Sequence, residues 1–151
     1  MQKGCYVFMI NVSNLLSEPD RNWEKKPGAT IEDINRLIQE IKILLPEEIL
    51  ELLRFSNGGF GDLACPPRLF SLNSCEEIIA EFQNEWLKEE FSGFLFIGGN
   101  LGLESIALDY RKAQPYPVVM IDRIAGPKSA KVIASNSKFF IEAIGLQYKE
   151  F

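Results

Sequence analysis

The 151-residue chain contains no histidine. That absence removes the Ser-His-Asp and Cys-His nucleophile systems, the His-containing zinc sites and the commonest general base near neutral pH. Cysteine is sparse: Cys5, Cys65 and Cys75 are an odd number with no Cys-x-x-Cys spacing. Secreted scaffolds of this size tend to use even sets, so the thiols read as reduced and the protein as cytoplasmic. Positive charge is short as well. With 16 Lys+Arg against 21 Asp+Glu the net charge is −5, which argues against a nucleic-acid surface built on phosphate neutralisation. Long apolar runs are missing too. The run at residues 5–10 ends at Asn11, below the roughly 7–15 residues of a secretory apolar region. No stretch approaches the roughly 18 apolar residues of a membrane helix. Residues 5–10 are expected to form a buried strand.

What is present describes an ordinary globular chain. The hydrophobic fraction of 46% and charged fraction of 25% argue against extensive disorder. Length indicates one domain, able to bury about 68–70% of its unfolded surface without metal or disulfide. Residues 13–29, with Pro19, Pro27 and Gly28, read as a loop or linker extension, leading into a domain over residues 30–147 and a tail at 148–151.

Thr30 stands at an N-cap position with Asp33 three residues on, and Ile31, Ile34, Leu37, Ile38 and Ile41 follow at helical spacing. Pro46, Glu47 and Glu48 open a second helix through Phe55, stopped at Ser56-Asn57-Gly58-Gly59. The two make a helical hairpin. Residues 60–72 read as irregular, with a short edge strand over 68–72. Asn73 or Ser74 caps a third helix with Cys75, Ile78, Ile79, Phe82 and Trp86 on its apolar side. Apolar runs at 94–97, 105–108 and 117–121, bounded by Gly, Asn, Asp and Pro, predict antiparallel strands, with a fourth over 130–134. Ser135 or Ser137 caps a closing helix. The expected class is α+β: a helical hairpin, an antiparallel meander and a C-terminal helix.

Several constellations invite a chemical reading. Gly98-Gly99-Asn100-Leu101-Gly102 resembles a phosphate loop, but no Gly-Lys-Ser/Thr follows and the next element is a strand. Asp20, Glu40, Asp109 and Asp122 are raw material for a carboxylate-based metal enzyme, although Asp20 lies in the expected loop and Glu40 at a helix end. Cys65 could act as a thiol only beside a helix N-terminus or a lysine, and reads better as a small apolar residue.

The third helix is the most acidic segment. Glu77, Glu81 and Glu85 fall at i, i+4, i+8, a ridge of like charges that costs about 0.2–0.5 kcal/mol per pair. One reading is a solvated face that maintains solubility. The other is an acidic patch that steers a basic protein. Residues 61–104 hold eight acids and two bases, a net of −6, and residues 105–151 hold seven bases and four acids, a net of +3. The chain is electrically polarised, as suits recognition of a charged partner.

Residues 45–48, Leu-Pro-Glu-Glu, followed by Leu53-Arg54-Phe55-Ser56-Asn57-Gly58-Gly59, resemble the Leu-Pro…Asn-Gly-Gly signature of the SUKH superfamily, the Smi/Knr-like proteins. Downstream, Phe94 to Asn100 and Gly102 to Asp109 resemble its Gly-rich turn, Glu, and apolar-Ala-apolar-Asp strand. The Pro-Val-Val strand from Pro117 and a Ser-x-Phe-Phe helix from Ser137 follow in order, so the match covers roughly residues 30–146. Leu101 and Leu103 depart from it, occupying turn positions where the family usually has glycine.

The resemblance implies an α+β fold, no catalytic activity and no metal or cofactor. Bacterial members look mostly like immunity proteins that bind and neutralise a cognate toxin, often a nuclease; a eukaryotic branch regulates cell-wall synthesis through protein contacts. Carried over to this chain, Leu45, Pro46, Asn57, Gly58, Gly59, Gly98, Gly102, Ala107 and Asp109 are expected to be architectural. The expected function is therefore a cytoplasmic immunity protein, monomeric or weakly dimeric, that binds a basic toxin through Glu77, Glu81, Glu85 and Glu104, with no nucleic-acid or membrane partner. The alternatives are a regulatory scaffold without a toxin and the metal-dependent enzyme.

Overall fold

The computed structural model describes residues 10–149. The strand expected over residues 5–10 lies, apart from Ile10, outside the described residues. Residues 13–29, expected as a loop, carry a short helix and a strand joined by irregular stretches. Asn11 caps a short helix, α1 (Val12–Leu16), by accepting a hydrogen bond from the Asn14 N–H, and Val12 and Leu16 are buried. Strand β1 (Trp23–Lys25) then pairs with β2 (Gly59–Asp62). Arg21 ties this stretch to the chain's end: its guanidinium donates to the Glu142 and Ile144 carbonyls at 2.7 and 2.9 Å.

Helix α2 (Ile31–Glu40) starts on a capping box formed by Thr30 and Asp33. Ile34, Leu37 and the following Ile41 are buried, whereas Ile31 and Ile38 are exposed, so the apolar stripe is narrower than the spacing predicts. Helix α3 (Glu47–Phe55) begins after Pro46. Strand β3 (Leu69–Leu72) lies inside the sheet between β2 and β4, not at an edge. The third helix is two helices, α4 (Cys75–Gln83) and α5 (Glu85–Glu90). Asn84 ends the first and caps the second, its Oδ1 accepting from the Leu87 N–H at 3.0 Å.

Strands β4 (Phe94–Gly99), β5 (Glu104–Asp109), β6 (Val118–Asp122) and β7 (Lys131–Ala134) complete an antiparallel sheet of seven strands in sequence order. Helix α6 (Ser137–Ala143), capped by Asn136, closes the chain. The class is α+β as expected, but the sheet starts before the helical hairpin rather than after it.

Strand alternation divides the core into two layers. Leu95, Ile97, Ile106, Leu108 and Val118 point to the large core beneath α1, α2, α3, α4 and α6. Phe94, Phe96, Ala107, Val119 and Ile121 point the other way, where Leu87 of α5 and Phe91 cover them. β3 and β4 share only the pairs Ser71↔Gly99 and Leu72↔Gly98, and α4 packs against β4 beyond them. None of the described helices covers the β1–β3 half of the second face, and the candidate site lies there.

Candidate protein-interaction surface

Ser56 ends α3 fully buried, and its hydroxyl is saturated. It accepts from Trp23 Nε1 at 3.2 Å and from the Lys26 N–H at 3.1 Å, and donates to the Gly58 carbonyl. Asn57 accepts from the Cys75 N–H at 2.8 Å, tying the end of α3 to the start of α4. Gly59 adopts φ +124°, and a Cβ there would lie 2.6 Å from the Trp23 ring and 2.8 Å from the Glu24 carbonyl. At Gly98 a Cβ would lie 2.1 Å from the Ser71 carbonyl oxygen, so only glycine lets β3 and β4 meet.

The ladder Glu24↔Phe60↔Ser71↔Gly99↔Ser105 places these residues on the second face of the sheet. Of these, Glu24, Phe60 and Ser71, together with Lys26, the Asn57-Gly58-Gly59 turn, Leu72, Glu77 and Leu101, frame an open groove of about 520 Å³. A second hollow of about 280 Å³ lies beside it, between α4, α5 and β4, lined by Glu81, Phe82, Leu87, Phe91, Phe94 and Phe96.

The four acids expected to form a patch lie on three elements: Glu77 and Glu81 on α4, Glu85 on α5 and Glu104 on β5. The helix break at Asn84 removes Glu85 from the ridge and sets it, exposed, on α5. Glu81 is engaged: its carboxylate pairs with Arg123 Nη2 at 2.7 Å and accepts from Asn73 at 3.2 Å. Arg123 also donates to Ser105 Oγ at 2.8 Å and lies 4.3 Å over the Phe96 ring, so Glu81 neutralises a stacked cation. Glu77 lines the groove, with one oxygen accepting from the Ser74 N–H in a capping box. Glu104 shares the helix side of β5 with Ile106 and accepts from Asn100 Nδ2 at 3.0 Å.

The signature residues sit at helix starts, turns and buried strand positions. Pro46 precedes α3 and Leu45 packs against the core. Ala107 is fully buried against the aromatic layer of the second face. The Gly102 N–H donates to Asn100 Oδ1 in the β4–β5 turn. Asp109, only 3% exposed, receives a fork from Arg111 Nε and Nη2 at 2.9 and 3.0 Å, while the guanidinium lies 4.4 Å over Phe94. Burial pushes the Asp109 carboxyl up, but hydrogen bonds from Arg111 and the charges of Arg111 and Lys112 outweigh it, and its pKa lies below the usual value. Sequence reasoning missed both Arg–Phe stacks. The i, i+2 phenylalanines Phe94 and Phe96 were visible; the arginines arrive only through strand pairing.

Other chemistry does not assemble. Among the described residues no group of three or more Cys, Asp or Glu side chains is placed to hold a metal ion, so Asp20, Glu40, Asp109 and Asp122 do not come together. Burial pushes the thiols of Cys65 and Cys75 up to about 11, so both are protonated at neutral pH and poor nucleophiles. No helix among the described residues is long and apolar enough to cross a membrane.

The chain matches the SMI1 / KNR4 family (SUKH-1) over residues 28–143, and it belongs to that family. No curated protein matches the chain. Family membership supports a non-enzymatic module of the immunity or regulatory type.

Proposed function

We propose that this protein is an immunity protein: a non-enzymatic module that binds and neutralises a cognate toxin in the cytoplasm. The observation that carries this reading is the open second face of the sheet. It is held by glycine turns and capped helix ends that use the family's own signature residues, and it presents a groove where none of the described helices covers β1–β3. Grooves of this kind accept side chains of another protein, and the carboxylates of Glu24 and Glu77 beside it favour a basic one. The experiment is genetic and direct. The product of the reading frame adjacent to this chain's gene is expressed alone and together with this protein. Growth arrest by the neighbour, relieved on co-expression, is the expected outcome. A harmless neighbour, or arrest that persists, favours the regulatory scaffold.

A further inference from the structure

Three large aliphatic side chains stand in solvent at one end of the sheet. Leu101 and Leu103 in the β4–β5 turn are 76% and 60% exposed, and Ile124, just after β6, is 83% exposed. The β5–β6 ladder ends on the pair Glu104↔Asp122, so Leu103, one residue before β5, and Ile124, two residues after β6 in a turn closed by its N–H on Asp122 Oδ1, both lie just beyond the same end of two paired strands. Leu101 reaches to the other side of its turn, where it lines the groove with Gly58, Phe60 and Glu77. Single exposed leucines are ordinary; three on adjoining tips beside a groove form a patch.

Leu101 has a backbone φ of +64°. That conformation is free for glycine and costly for leucine, and the exposed side chain recovers little of the cost by burial. Folding alone would place Gly or Asn there. The patch is also ringed by acid. Glu77, Glu104 and Asp122 have no cationic partner among the described residues, and Glu104 sits directly opposite Asp122, a like-charge pairing that destabilises a sheet. Of the nearby cations, Lys26 lines the groove together with Glu24, Arg123 is neutralised by Glu81, and Lys128 lies in the 127–129 turn. A nucleic acid would be repelled, and a second copy of this chain would bring carboxylates against carboxylates. A protein with apolar side chains ringed by Lys and Arg is complementary in both shape and charge.

We propose that the Leu101, Leu103 and Ile124 tip, with the groove beside Leu101, is the surface that docks a basic protein. Leu101 and Ile124 are its anchoring side chains, and Glu77, Glu104 and Asp122 meet the partner's cations. This assignment rests on the protein-binding role proposed above and gives it a location.

The test uses the intact protein and two defined probes, a short amphipathic helix of leucine and lysine and an oligolysine of equal charge. Amide chemical shifts are followed by NMR. The amphipathic probe is expected to move signals of residues 57–60, 100–105 and 122–126, and to bind about tenfold more tightly than oligolysine. Leu101→Gly and Ile124→Ser should each weaken it about tenfold, while Leu101→Gly leaves the thermal midpoint unchanged or raised. Shifts centred on Trp86 or β7, undiminished affinity of both variants, or a midpoint lowered by several degrees in Leu101→Gly would overturn the assignment. The toxin assay separates the two ideas. If both variants neutralise a toxin as well as the natural protein does, the surface is wrong and the function stands. If nothing is neutralised but the probe maps to the tip, the surface stands and the toxin reading fails.

Discussion

The Asn57 side chain accepts a hydrogen bond from the backbone N–H of Cys75 at 2.8 Å, joining the end of α3 to the start of α4 across eighteen residues. Helix N-termini leave orphan donors, and here a residue from a distant turn satisfies one. Asn57→Ala removes that acceptor. The expected cost is about 1–2 kcal/mol in urea unfolding, with Asn57→Asp retaining most of it.

Gly98 allows β3 and β4 to touch at the two pairs they share. Gly98→Ala would set a Cβ 2.1 Å from the Ser71 carbonyl oxygen, contact with backbone that cannot rotate away. The strands must separate, and a loss of about 3 kcal/mol or more follows. Gly102→Ala is the control. Its Cβ would meet only Asn100 Oδ1 at 3.2 Å in an exposed turn, and thermal melts of the two variants should differ accordingly.

The Arg111 fork on Asp109 makes stability depend on acid. The folded-state pKa of Asp109 is depressed below its ordinary value of 3.8. Its contribution is therefore complete above that value and is lost as pH falls through the lower folded value. Asp109→Asn should cost about 1–2 kcal/mol at pH 7, the half-exposed Arg111 weakening the pair. The gap between the variant and the natural protein should close below about pH 4 in urea titrations followed across pH.

The acidic residues of α4 and α5 are not equivalent in their effects. Glu81 holds Arg123 over Phe96, so Glu81→Lys would lower stability as well as any partner affinity. Among the described residues Glu85 and Glu77 have no such cationic partner, and Glu85→Lys or Glu77→Gln isolates the electrostatic effect. Should α5 and the groove steer a basic partner, each slows association in stopped-flow mixing at low salt, and the difference fades at high salt.

Much of the fold is legible in the chain. Alternating apolar runs bounded by Gly, Asp and Pro locate β4 to β7, and the Thr30–Asp33 capping box locates α2. Other elements escape for identifiable reasons. β2 reads Gly-Phe-Gly-Asp, and its glycines look like a turn because Trp23 stacks where their side chains would be. α1 and β1 hide in a polar stretch, where Trp23 is the one aromatic signal. The α4–α5 break has no Gly or Pro to mark it; Asn84 ends one helix and starts the next, which takes Glu85 out of helical register with Glu77 and Glu81. The groove is illegible in sequence, because it joins β1, β2, β3 and the β4–β5 turn through register alone.

The most direct measurement is a calorimetric titration of this protein with the purified product of the adjacent reading frame. The account predicts a saturable one-to-one complex, submicromolar at low salt, weakened by added salt and by Leu101→Gly. No heat and no complex at micromolar concentrations, from a neighbour shown to arrest growth, would contradict it.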